Sequence, residues 1–212
     1  MISRSKSINV TLIFSLERYR EVAKAYIRGI KRLVESGGDP SGVRSVASFF
    51  VSRIDTEADK RLEELGAGDL KGKLAIANAK VAYQIYKQVF DGSRWRSLEE
   101  RGANKQRLLW ASTSTKDPDY PDVMYPENLV GPETVDTMPK STIKAVMDHA
   151  EIHPTLEDGV EEAKEIFGRL REAGLDYEDV TDTLEQEGID KFAQPFHELL
   201  EEIESKGKQL VG

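Results

Sequence analysis

The chain has 212 residues, 39% of them hydrophobic and 32% charged, which is enough for a sizeable core in one or two domains. Its net charge of −8 excludes non-specific nucleic-acid binding, which needs a basic face, but leaves room for a local anion site. It has no cysteine, so disulfides and thiol chemistry are excluded, which fits a cytoplasmic protein.

The opening MISRSKS is polar, and the apolar run after it, Ile8–Phe14, is too short for a secretory core or a membrane span. Ile8–Phe14 (INVTLIF) predicts the first strand. Ser15 then caps a helix running to about Ser36, where Gly37-Gly38 stops it. Tyr19, Ala23, Tyr26, Ile30 and Leu33 recur at spacings of three and four and make one buried stripe.

Val43–Val51 predicts the second strand, between Pro40-Ser41-Gly42 and Asp55-Thr56. Asp55 is placed to cap a short helix ending near Leu65. Leu74–Phe90 reads as a longer helix and Ser97–Arg101 as a turn or two. Arg107–Thr113 predicts the third strand, followed by a Pro/Asp/Tyr-rich loop and a short helical piece near Glu127–Val130. Glu133–Thr137 predicts the fourth strand, and Pro139 opens the next helix.

From Thr155 the pattern is helical only. Thr155 and Asp158 resemble a capping box, and three helices are expected over about 156–173, 177–187 and 190–206. Four βα units followed by a helical tail make an α/β protein with a parallel sheet. No glycine-rich fingerprint follows the first strand, and Gly66–Lys73 fails as a P-loop. Polar residues on and just after the strands favour a (β/α)8 barrel over an open doubly wound sheet.

Those polar residues are the candidates for chemistry. Asn9 and Thr11 share one face of their strand, Ser48 and Phe50 share one face of theirs, and Ser112 lies on the third. If these faces converge, an amide and three hydroxyls meet in a site suited to a polyhydroxylated ligand. Otherwise each hydroxyl simply bonds a neighbouring carbonyl in a packed interior. Arg53 and Lys116 lie just past strand ends, where two cations can hold a phosphate or merely pair with nearby acids. His149, His153 and His197 show no metal-ligand spacing. Trp95 and Trp110 read as core, and the acidic final helix reads as a solvated amphipathic face.

The segments INVTLIFS, SVASFFVSR, IANAKVAYQIYKQVF and WASTSTKDPDYPDVMYPENLVGPETVDTMP together resemble transaldolase of the longer bacterial type, over nearly the whole chain. The resemblance implies a (β/α)8 barrel that needs no cofactor or metal. Such a barrel moves a dihydroxyacetone unit between sugar phosphates of the pentose phosphate pathway through a lysine Schiff base. Donors and acceptors would be fructose 6-phosphate, sedoheptulose 7-phosphate, erythrose 4-phosphate and glyceraldehyde 3-phosphate. By motif, Asn9 and Thr11 correspond to the fifth-strand pair that binds substrate hydroxyls and the catalytic water. Ser48 and Phe50 correspond to the sixth-strand channel wall, and Arg53, Ser112 and Lys116 to the phosphate site.

The family's lysine lies in a K-I-P-A-T-like segment upstream of the NVTLIFS motif, and no such segment occurs here. Lys6 precedes its strand and would sit at the opposite end of the barrel from the active face. The expected organisation is therefore a partial barrel, strands five to eight, over residues 1–150, with a helical extension over 151–212 packing on it. The chain is expected to recognise sugar phosphates but to be inactive alone, and to self-associate or pair with an N-terminal half. The alternative is a non-catalytic half-barrel that binds sugar phosphates or a protein partner.

Overall fold

The computed structural model describes residues 1–211. The side chains of His197 and of residues 208–211 lie outside the described residues. Four strands form one parallel sheet in the order β1-β2-β3-β4: Ile8–Ile13, Ser45–Phe50, Arg107–Ala111 and Thr134–Asp136. Each crossover steps in the same direction, and right-handed crossovers that never reverse place their helices on a single face. Eight helices accompany the strands among the described residues: α1 (Leu16–Glu35), α2 (Ser52–Glu64), α3 (Leu74–Phe90), α4 (Ser93–Glu99), α5 (Met124–Asn128), α6 (Lys140–His149), α7 (Val160–Glu172) and α8 (Tyr177–Val211). None of them is long and apolar enough to cross a membrane.

The strand residues facing these helices are Ala47, Phe49, Leu108 and Trp110, all fully buried. Phe49 is packed edge-on between Tyr19 of α1 and Trp110 of β3, each with ring centroids 6.1 Å away. The expected α1 stripe is buried throughout, and the Ser15 side chain accepts the Arg18 N–H as its cap. Trp95 joins a second aromatic group with Phe90 and Tyr26. The opposite face is less covered: Asn9 and Thr11 are exposed, while Val46, Phe50, Leu109 and Val135 are half-buried.

Several boundaries differ from the sequence expectation. The second strand ends at Phe50, because Ser52 and Arg53 already form the first turn of α2. Asp55 lies inside that turn rather than capping it, its carboxylate being used by Ala75. The short turn expected at Ser97–Arg101 is a helix that begins at Ser93, and the piece expected near Glu127 begins at Met124. Thr155 caps nothing: its hydroxyl donates to the Glu127 carbonyl at 2.5 Å, and α7 starts only after Gly159.

The two final helices are one. Gly188, in the gap between the two expected ranges, is helical and packs against β1, where a Cβ would meet Leu12 Cδ2 at 3.0 Å. Close approach, not chain reversal, is what glycine provides there.

A buried polar brace joins the first βα turn to the tail. Asn78 on α3, fully buried, donates from Nδ2 to the Phe14 carbonyl (2.8 Å) and accepts at Oδ1 from the Tyr177 hydroxyl (2.8 Å). The same hydroxyl accepts the Leu16 N–H at 3.0 Å. Removing the amide leaves a buried carbonyl and hydroxyl unpaired, and each such loss costs a few kcal/mol at most. Asn78→Ala should therefore lower the unfolding free energy by about 2–4 kcal/mol, read from the urea midpoint at constant m.

Candidate functional site

The candidate polar residues are spread along the strands: Asn9 near the start of β1, Thr11 and Ser48 within β1 and β2, and Ser112 and Arg53 just past the C-terminal ends of β3 and β2. β1 holds a bulge: Val10 pairs with Ala47, but Ile13 pairs with Phe49, so three steps on β1 match two on β2. Leu12 takes the left-handed conformation to achieve this, at φ 60°. The bulge buries Ile13 while leaving Thr11 on the open face. One strand over, the Ser48 hydroxyl donates to Asn9 Oδ1 at 2.8 Å, so these two predicted residues meet directly.

The next pair lies at the tips of β2 and β3. Val51 N–H and Ser52 N–H donate to the Ala111 and Ser112 carbonyls, both at 2.9 Å. The Ser52 and Ser112 hydroxyls then lie 2.9 Å apart. Ser112 is itself left-handed, at φ 59°. Non-glycine residues held there are uncommon and cluster where a backbone is bent for a purpose. Arg53 follows in the first turn of α2, its guanidinium carbon 5.2 Å from the Phe50 ring centroid. Among the described residues it makes no ion pair, and a helix N-terminus beside a free guanidinium suits an anion.

The structure thus brings together Asn9 with Ser48, and Phe50 with Arg53, while Ser112 joins Ser52. Thr11 stands alone on the exposed edge. Lys116 goes elsewhere: its Nζ donates to Ser114 (2.8 Å), and it lines a cleft with Asp59, Asp117 and Tyr120. Ser52, which meets Ser112, is a candidate that the sequence reading did not single out, since it falls just past the expected end of the second strand. His149 sits on the surface between Asp122 and Asp148, which raise its pKa.

The tail reaches the rim of this site. Arg18, at the start of α1, makes a forked contact with Glu185 of α8 (2.9 and 3.2 Å). Arg61 of α2 bonds Thr183 and pairs with Asp179. The Glu187 carboxyl is held below its ordinary range by Lys191 first, with Lys60 and Arg53 as lesser causes.

The cleft beside Lys116 is built on Asp55 and Asp59, one turn apart on α2. Asp55 accepts from Ala75 N–H (2.8 Å) and the Tyr125 hydroxyl (2.9 Å). Asp59 accepts from Gly72 N–H (2.9 Å) and the Tyr120 hydroxyl (2.6 Å). Gly72 is needed in this contact: it is left-handed, and a Cβ would stand 2.9 Å from the Tyr120 ring. Burial pushes Asp55 up to about 7 against the pull of those two donors, and the Asp59 charge adds to the rise. Burial also pushes Asp136 up to about 6, opposed by the Thr113 hydroxyl. Sequence reasoning passed over this pair. Its available signal was Ile54, Ala58 and Leu62 at spacings of four, which set Asp55 and Asp59 along the edge of the buried stripe.

A family model described as transaldolase/fructose-6-phosphate aldolase matches residues 1–203. Among similar proteins, "Transaldolase 2" of Streptomyces coelicolor is 50% identical over 209 residues, covering 97% of this chain and 56% of that protein. The "Transaldolase" of Acidothermus cellulolyticus is 52% identical over 196 residues, covering 91% and 53%. "Transaldolase 2" of a Nostoc species is 45% identical over 224 residues, covering 99% and 59%. The chain spans a little over half the length of the curated relatives it matches.

The raised carboxyls have a consequence for stability. Asp55 and Asp136 hold their protons to higher pH when folded than when unfolded, so each favours the folded state most below its unfolded value, near pH 4. That contribution is lost as pH rises, through about 6 for Asp136 and about 7 for Asp55. The stability of the native chain relative to Asp136→Asn should fall between pH 4.5 and 7.5 by on the order of 1–2 kcal/mol, measured by urea unfolding.

Proposed function

Because the chain belongs to the transaldolase/fructose-6-phosphate aldolase family, we propose that it forms strands five to eight of a (β/α)8 barrel and supplies the sugar-phosphate recognition of a transaldolase. Three features support the half-barrel. The strand order runs without the reversal that marks a doubly wound sheet. Among the described residues, β1 and β4 each have one unpaired edge. The face opposite the helices carries amide and hydroxyl groups. In this reading residues 1–150 are the half-barrel, and 151–212 are an extension laid on its rim. A segment or chain with the other four strands covers the open face.

The observation that carries the functional reading is the Asn9–Ser48 hydrogen bond between β1 and β2, with Arg53 held over Phe50 at the C-terminal end of β2. Asn9, Thr11 and Ser48 would bind the hydroxyls of fructose 6-phosphate or sedoheptulose 7-phosphate. Phe50 would wall the channel. Arg53 at the N-terminus of α2, with the Ser52 and Ser112 hydroxyls, would hold the phosphate, and Lys116 would give it long-range attraction. The acceptor aldehydes, erythrose 4-phosphate and glyceraldehyde 3-phosphate, carry the same anionic handle.

Transfer of a dihydroxyacetone unit needs an amine that attacks the ketone carbon and expels water as an imine. The imine accepts the electron pair when the adjacent carbon–carbon bond breaks and returns it to the new aldehyde, and hydrolysis frees the amine. None of the four strands contains a lysine. Burial pushes the Lys80 ammonium down, but its Nζ is engaged by the Asp158 carbonyl (2.8 Å) between α3 and the start of α7. The reactive lysine therefore comes from outside these four strands, and this chain recognises substrate without forming the bond to it.

Two measurements bear on this. Borohydride reduction of the chain with fructose 6-phosphate should leave its mass unchanged, and a covalent adduct on any of its lysines would sink the reading. Arg53→Ala should weaken fructose 6-phosphate binding about tenfold to a hundredfold by calorimetry while leaving the unfolding midpoint in place.

A further inference from the structure

Two surfaces remain unused by the reading above. The first is the distal half of α8. Ile189, Phe192, Phe196, Leu199 and Ile203 recur at spacings of three, four, three and four, the seam of a helix that lies along another apolar surface. Phe192 is 62% exposed and Ile203 58%. A continuous row of large apolar side chains this open is not ordinary scattered exposure. The seam is flanked by acid: residues 187–206 carry six carboxylates and two lysines, Lys191 pairing with Glu187 and Lys206 with Glu202.

The second surface is a groove on the outer side of the helical layer, between α1 and α4. In a chain of net charge −8, it is lined by five cations: Lys24, Arg28 and Lys31 from α1, and Arg94 and Arg101 from α4 and its end. Glu35 is the single acid of the lining and lies 3.5 Å from Lys31. Among the described residues the other four cations make no ion pair. The groove also exposes the apolar edges of Ile27, Val34, Val89 and Leu98.

The two surfaces complement each other in charge, polarity and length. Lys24 to Glu35 and Phe192 to Ile203 each span twelve helical residues, about 17 Å. The first half of α8 is fixed against α1 and α2 by Arg18–Glu185 and Arg61–Thr183, and the distal half of the same helix, which contains Pro195, continues past those contacts.

We propose that the distal half of α8 in one copy docks in the α1–α4 groove of a second copy, its apolar seam on the groove floor and its carboxylates against Arg28, Arg94 and Arg101. The contact joins unlike patches, so it is head-to-tail and builds rings or filaments rather than stopping necessarily at two. It does not rest on the transaldolase reading, since it uses none of the residues assigned to sugar-phosphate recognition.

Sedimentation velocity on the full 212-residue chain tests it. Concentration-dependent species larger than a monomer are expected at low salt, dissociating as salt screens the charges. Arg94→Glu/Arg101→Glu should weaken association at least about tenfold, and so should Phe192→Ser, with circular dichroism and thermal midpoint unchanged. Mixing the Arg94→Glu/Arg101→Glu protein with a Glu198→Lys/Glu201→Lys protein should restore association between the two. A monomer at all concentrations overturns the proposal. So does association indifferent to both charge reversals, or association lost in the arginine variant and kept in the Phe192 and glutamate variants.

Discussion

Phe49 is the residue on which the sheet turns. Held edge-on between Tyr19 and Trp110, it fixes which face of β2 belongs to the helices. Side chains alternate along a strand, so that choice assigns every neighbour: Ala47 goes in with Phe49, while Val46, Ser48 and Phe50 go to the other face. Register carries the assignment across the sheet, pairing Phe49 with Trp110 and Ser48 with Leu109. A slip of one residue would expose two aromatic rings and bury Asn9 and Thr11 unpaired, which is why the polar set is held on one side.

The rim depends on a second constraint. The Tyr177 hydroxyl serves Leu16 and Asn78 at once, so the first turn of α1, the middle of α3 and the root of α8 are fixed by one buried group. With Arg18–Glu185 added, the tail cannot shift without disturbing the C-terminal half of β1, where Thr11 and Leu12 sit. The tail is thus part of the site's frame in the mechanical sense, even though it contributes no group to the Asn9–Ser48 pair.

Regular periodicity made much of this legible in the sequence. The α1 stripe, the four strands and the core placement of Trp95 and Trp110 all follow from spacing and apolar content. What was not legible depends on contacts distant in sequence. The β1 bulge shifts pairing by one residue without any glycine to mark it. The helix runs unbroken through residues 188 and 189, where a gap was expected, and Gly188 packs there against Leu12, far back in the chain. Asp55 looked like a cap because nothing local reveals that Ala75 and Tyr125 come to its carboxylate. Among the site residues, period two predicted that Asn9 and Thr11 share a face and that Ser48 and Phe50 do, but it could not tell that Lys116 turns away toward Asp59 and Asp117.

Recognition and bond formation ask opposite things of a cation. A guanidinium stays charged in any protein setting, so Arg53 can hold an anion from a half-exposed position over Phe50. An amine that is to attack a carbonyl must first shed its proton, and for that it needs a dry or cationic surrounding. In this chain the two conditions are separated by the sheet. Desolvation exists on the helical side, where Lys80 is buried but engaged by the Asp158 carbonyl. The proposed anion site lies on the other side, where Asn9 and Thr11 are open to water. Under the proposed transaldolase reading, whatever covers the open face would have to bring both a lysine and the apolar surroundings that deprotonate it, because exclusion of water and delivery of the amine would then be the same structural event.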